Sequence, residues 1–201
     1  MAINSLMLDG SLMWDLLDEM SYKIEPDEYY ELVACGRGAL VLFDGLEQTT
    51  ADLDVFSLYS DVFPVVLYKA AAAVASGHDG LGEDWINNDV VRYADVETPH
   101  LTVGDFKQYF LTGAAEPAYF PDDDQLIPTL GIISVDPLGI VAAKMLAHRP
   151  KDDDALPEIC AAHDIFSADD LDRRYRECYM TFTQHQYYDK LLANAKEILG
   201  A

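Results

Sequence analysis

Two aspartates separated by one leucine, Asp52-Leu53-Asp54, are the residues whose spacing best suits chemistry. On a strand, residues i and i+2 project to one face, so both carboxylates converge while Leu53 turns to the core. Two such carboxylates repel each other unless they share a cation, and a hard divalent ion such as Mg²⁺ or Mn²⁺ suits them. Alone the motif is weak, because the chain holds 36 acidic residues and most Asp-x-Asp runs are solvated turns or caps.

The elements around the pair sharpen this reading. Glu31 to Cys35 reads as a short apolar strand that stops at a glycine turn, Gly36-Arg37-Gly38. Ala39 to Phe43 then reads as a short helix ended by Gly45, and Asp52 to Tyr59 as a second strand bearing the carboxylates. Glycines after a strand let backbone N–H groups approach a phosphate, and the helix N-terminus adds partial positive charge. A triphosphate bridged by metal over such a strand is the geometry of nucleotidyl transfer by paired metals.

Farther out, Leu12, Met13, Leu16, Leu17 and Met20 recur at helical spacing after a capping residue at Ser11, and Pro26 closes that helix. Pro64 to Ala75 predicts an alanine-rich helix that ends in the turn-forming stretch from Ser76 to Gly82. Trp85 to Pro99 reads as irregular with one short strand, Gly104 to Gly113 fits helix or strand equally, and Pro121 to Asp124 reads as an exposed acidic turn. Leu130 to Val135 predicts a third strand, ended by Asp136-Pro137. Four helices follow, over Leu138 to His148, Asp154 to His163, Ala168 to Tyr179 and His185 to Leu199. The fold class is therefore α/β (α+β), a small mixed sheet flanked by helices. The core spans 1–136, and a helical C-terminal region, 137–201, packs on it.

The segment from Gly36 to Phe56 resembles the minimal nucleotidyltransferases, including AbiEii-like toxins and an uncharacterised bacterial group. Their pattern is a strand, Gly-Gly-x-Ala, a helix, a glycine, then Arg-x-Thr-x-Asp-hydrophobic-Asp, and Gly45, Thr50, Asp52, Leu53 and Asp54 occupy matching positions. Asp136 to Asp152 resembles the family's later helix, with Lys144 near the nucleotide, followed by an Arg-x-Lys-Asp start at Arg149, Lys151 and Asp152. Trp85-Ile86-Asn87-Asn88-Asp89 resembles a further element, so the likeness runs in order over about residues 30–160.

This resemblance implies transfer of a nucleotidyl group from an NTP to an RNA or protein acceptor, with Asp52 and Asp54 holding Mg²⁺ or Mn²⁺. It also implies phosphate contacts from Gly36, Arg37, Gly38, Thr50 and Lys144, with Asp136 as third acid, in a toxin–antitoxin or phage-defence setting. Departures accompany it: Arg37 splits the double glycine, Gln48 stands where the family has arginine, and Glu97 and Asp105 are weaker third acids than Asp136. A catalytically degenerate nucleotidyltransferase-fold protein that binds without turnover therefore remains an alternative.

Bulk composition narrows the partners. Thirteen basic residues against 36 acidic ones give a net charge of −23. Such a surface repels phosphate backbones and anionic membranes, so non-specific DNA binding is not expected. An acidic decoy for a basic protein surface is the third alternative. No run approaches the roughly 18–20 apolar residues that span a bilayer, and residues 1–10 lack signal-peptide character. Cys35, Cys160 and Cys178 read as buried small hydrophobes of a reducing compartment, which points to the cytoplasm. His78, His100, His148, His163 and His185 show no zinc-like pairing, and no Ser or Cys nucleophile motif is present. The tyrosines and phenylalanines read as core, and the bland reading of Lys144 is a surface lysine with a buried stem.

Overall fold

The structure is a computed structural model. It describes residues 6–25, 28–43, 48–57, 63–89, 107–111, 119–120, 123–126, 128–134, 136–178, 180, 182–184 and 186–200. Gly45, Glu97, Asp105, His100 and His185 lie outside the described residues. The described chain is mixed α/β and divides into two units. One takes the described residues of Met1–Arg92 and Lys107–Ser134, and the other contains Val135–Ala201. No described helix is long and apolar enough to cross a membrane.

The first unit is built on a five-stranded mixed sheet, and its middle strands are the most apolar. Strand β1 (Tyr30–Cys35) buries Leu32, Val33, Ala34 and Cys35 in succession, as a strand covered on both faces must. It lies between β2 (Leu53–Ser57), antiparallel to it, and β7 (Leu130–Ser134), parallel to it. The edges are β3 (Ile86–Asn87), parallel to β2, and β4 (Lys107–Leu111), antiparallel to β7. Within the ambiguous Gly104–Gly113 stretch, the described residues Lys107–Leu111 are a strand, because β7 offers an open edge whose hydrogen bonds β4 completes. Tyr119–Phe120 (β5) and Asp123–Leu126 (β6) pair in a separate ribbon, so Asp123 and Asp124 belong to a strand rather than to the expected acidic turn.

Three helices accompany this sheet. Helix α1 (Gly10–Ser21) buries Met13, Leu16, Leu17 and Met20, an i, i+3, i+4, i+7 stripe. Its cap is Asp9, whose Oδ1 accepts from the Leu12 N–H at 2.9 Å, so the expected cap at Ser11 is displaced by two residues. Helix α2 (Gly36–Phe43) starts directly after β1, and α3 (Val65–Ala75) starts after Pro64. Trp85, 1 % exposed, donates its indole N–H to the Ala71 carbonyl and so fixes α3 to the chain just before β3.

The second unit is helical: α4 (Pro137–Ala147), α5 (Pro150–Asp153), α6 (Leu156–Ala161), α7 (Ala168–Cys178) and α8 (Tyr188–Leu199). The helix expected over Asp154 to His163 is the shorter α6, with Pro157 in its first turn, and the separate single turn α5 precedes it. Tyr175, fully buried, donates its hydroxyl to the Leu138 carbonyl at 2.6 Å, and Asn194 donates to the Met145 carbonyl at 2.7 Å. Cys35 and Cys160 are buried as expected, but Cys178 at the end of α7 is exposed. The aromatic residues also divide: Tyr175 and Tyr188 are core, whereas Tyr22, Tyr29, Tyr68 and Phe166 are exposed.

Candidate functional site

The glycine segment is not a loop. Gly36, Arg37 and Gly38 form the first turn of α2, so their amides belong to the N–H groups that an α-helix leaves without intrahelical acceptors. Gly36 adopts a left-handed backbone, φ +67°, which glycine enters without the penalty a Cβ imposes. A Cβ built there would lie 2.8 Å from Asp54 Oδ2. The Asp54 carboxylate therefore packs against the bare backbone at the positive end of α2, where an anion is favoured. Gly38 serves packing: a Cβ on it would meet Leu53 Cδ1 at 2.8 Å and the Asp52 carbonyl at 3.0 Å. The two glycines let α2 lie close to the strand that carries the acids.

Asp52 immediately precedes β2 and Asp54 is its second residue. Leu53 between them is fully buried, while both aspartates are half-buried. Asp54 pairs in register with Cys35 on one side and Asn87 on the other. Laterally paired residues share a face of a sheet, so Asp54 and Asn87 project together. The Asn87 Nδ2 group lies 3.5 Å from Asp52 Oδ2, which places Asp52 with them. Thr50 Oγ1 stands 3.5 Å from Asp52 Oδ1, and Thr50 is itself anchored by backbone hydrogen bonds to Leu8 at 2.7 and 2.9 Å. Asp54, Gly36, Asp52 and Thr50 are thus brought together, joined by Asn87, to which the sequence reading gave no role of its own.

The donor chemistry fits a hard cation. Among the described residues no group of three or more His, Cys, Asp or Glu side chains is placed to hold a metal. Mg²⁺ does not need such a cage, since it commonly takes one or two carboxylates and completes its octahedron with water and substrate phosphate. Two carboxylates beside neutral oxygen donors, at the N-terminus of a helix, match that habit.

Asp136 and Lys144 belong to the second unit, which gives each a structural task. Asp136 caps α4, its Oδ1 accepting from the Leu138 N–H at 2.8 Å, with Pro137 in the first turn. Lys144 is only 7 % exposed and donates to Asp152 Oδ1 at 2.5 Å. Arg149 Nε donates to Asp152 Oδ2, also at 2.5 Å. Burial pushes the Asp152 carboxyl upward, but hydrogen bonds and charge from Lys144 and then Arg149 outweigh it and hold it below the usual carboxylate range. The chain reverses between Lys144 and Asp152 at His148, which takes a left-handed conformation of φ 47°.

Comparison of the chain with protein families, with curated proteins and with solved structures gives no match in any of the three.

Proposed function

We propose that this chain is a divalent-cation-dependent nucleotidyltransferase that moves a nucleoside monophosphate from an NTP to a hydroxyl of an RNA or protein acceptor, breaking the α–β phosphoanhydride bond and releasing pyrophosphate and the hydroxyl proton. The observation that carries the reading is the seating of Asp54 against Gly36, which puts a carboxylate beside the first-turn amides of a helix. In this reading Asp52 and Asp54 hold Mg²⁺ or Mn²⁺. Bound there, the cation supplies charge neutralisation on the triphosphate and makes the acceptor hydroxyl easier to deprotonate. The amides of Gly36, Arg37 and Gly38 receive phosphate oxygens, and the Arg37 guanidinium adds the positive charge that Gln48 does not provide. Thr50 braces Asp52. Asp136 and Lys144 carry no step, because each already has a partner within its own unit. A net charge of −23 sharpens the expectation: the protein repels a free polyanionic nucleotide, so binding must depend on the cation. The cytoplasm supplies both NTP and Mg²⁺ and is the proposed location.

A second reading, a nucleotidyltransferase-fold protein that binds nucleotide without turnover, draws support from Gln48 and from the absence of a three-acid group among the described residues. Calorimetric titration with each NTP, with and without Mg²⁺, tests both against wild type and Asp52→Asn/Asp54→Asn. Binding that requires Mg²⁺ and disappears in the double variant is expected of either reading. Incorporation of label from an α-³²P-NTP into acceptor then separates transfer from binding alone. NTP binding that ignores Mg²⁺ or survives the double variant rejects both.

A further inference from the structure

Asn87 lies on the two-residue edge strand β3, half-buried and directly beside Asp54. Its amide has a determined orientation: Oδ1 accepts from the Asp89 backbone N–H at 3.0 Å, so the Nδ2 group must face the other way. That direction holds two acceptors, the Asp84 carbonyl at 3.4 Å and Asp52 Oδ2 at 3.5 Å. The opposite carboxylate oxygen of Asp52 faces Thr50 Oγ1, also at 3.5 Å. Both approaches are longer than the 2.7–3.2 Å of a strong hydrogen bond, and both donors are neutral. The buried Asp152, by contrast, is gripped at short range by two cations, Lys144 and Arg149. Asp52 is instead bracketed from both sides and left with its negative charge uncompensated by either neighbour.

We infer that Asn87 is a positioning residue, which aims the Asp52 carboxylate alongside Asp54 while leaving its lone pairs available to a divalent cation. The inference rests on the carboxylate-site reading above and adds to it a residue from the neighbouring strand β3. It has a counterpart in the opposite direction. Because Asn87 projects from the same face as both acids, an aspartate in its place adds a third carboxylate to that face without changing side-chain size.

Mn²⁺ alone, titrated into the full chain and followed by calorimetry and by the paramagnetic resonance of the free ion, provides the test. Wild type is expected to bind at a site that Asp52→Asn/Asp54→Asn removes. Asn87→Ala should weaken that site about tenfold, as loss of a group orienting a metal ligand commonly does. Asn87→Asp should bind Mn²⁺ more tightly than wild type, yet melt at lower temperature without metal, because three like charges then share one face. Added Mn²⁺ should restore the melting temperature of that variant. A merely structural asparagine gives no such reversal of sign, and Asn87→Asp carries the test if Asn87→Ala fails to fold. Unchanged Mn²⁺ affinity in both Asn87 variants, with binding still lost in Asp52→Asn/Asp54→Asn, overturns the role of Asn87 and leaves the carboxylate site standing. Absence of a wild-type Mn²⁺ site sensitive to the double variant rejects the site itself, and the role of Asn87 with it.

Discussion

Replacing Asp152 by alanine should damage the second unit more than any other single change among the charges around it. Asp152 is 3 % exposed and Lys144 7 %, and the two meet at 2.5 Å. Removing the carboxylate strands a buried ammonium, a loss that costs about 3–5 kcal/mol where one partner of a buried pair is deleted. Arg149 contributes less to that sum, because its side chain is 45 % exposed and water takes over its solvation. Lys144→Met should cost about 1–3 kcal/mol, since Asp152 keeps Arg149 and the methionine fills similar volume. The double variant Lys144→Met/Asp152→Leu should recover much of the loss, because no buried charge is then left alone. Acid provides a second readout. The Asp152 carboxyl sits below its ordinary value of 3.8, so its stabilisation is complete above that value and is lost as pH falls through the folded-state value. Asp152→Ala should therefore lower stability at pH 7 and flatten that part of the acid limb. Amide hydrogen exchange of α4 and α5, with urea unfolding between pH 7 and 3, measures both. A loss under about 0.5 kcal/mol for Asp152→Ala, or a double variant less stable than it, refutes the reasoning, since such a loss is typical of an unremarkable surface site.

Gly38→Ala should cost about 1–3 kcal/mol by overpacking, because the new methyl meets Leu53 and the Asp52 backbone at 2.8 and 3.0 Å. It should also weaken Mn²⁺ binding by pushing the aspartate strand away from α2, and thermal melts with metal titration check both effects. Tyr175→Phe should cost about 1–3 kcal/mol in urea unfolding, since it strips the Leu138 carbonyl of a buried donor. Native thiol labelling at pH 8 should modify Cys178 quickly and Cys160 only after unfolding, because burial pushes the Cys160 thiol up to about 12.

The fold was legible where the side-chain pattern is set by one element's own burial. The stripe Met13, Leu16, Leu17 and Met20 identifies α1, and the apolar run Leu32 to Cys35 identifies a central strand. Ambiguity arose where a partner far along the chain decides. Lys107–Leu111 carries no one-sided alternation, and it becomes a strand because β7 presents an edge to it. Asp123 and Asp124 look like turn residues by charge, yet the ribbon with Tyr119–Phe120 makes them strand. At the site, the Asp52-Leu53-Asp54 spacing was readable because strand period alone fixes it. By sequence Gly36 and Gly38 read as a turn, since glycine is ordinarily a helix breaker; their backbone freedom and small size instead bring α2 onto β2. Asn87 acquires its place only through pairing with Asp54, which no local pattern announces. Lys144 looked like a phosphate ligand among apolar neighbours, and its partner Asp152 lies across the reversal at His148.

Crystals grown with Mn²⁺ and measured at the manganese absorption edge test the central assignment most directly. The expected result is an anomalous peak within coordination distance of the Asp52 and Asp54 carboxylates, about 2.1–2.2 Å from the nearest oxygens if geometry follows that of small hard cations. A fully formed lattice with no peak there, or with manganese only at surface acids such as Asp169 or Glu177, contradicts it.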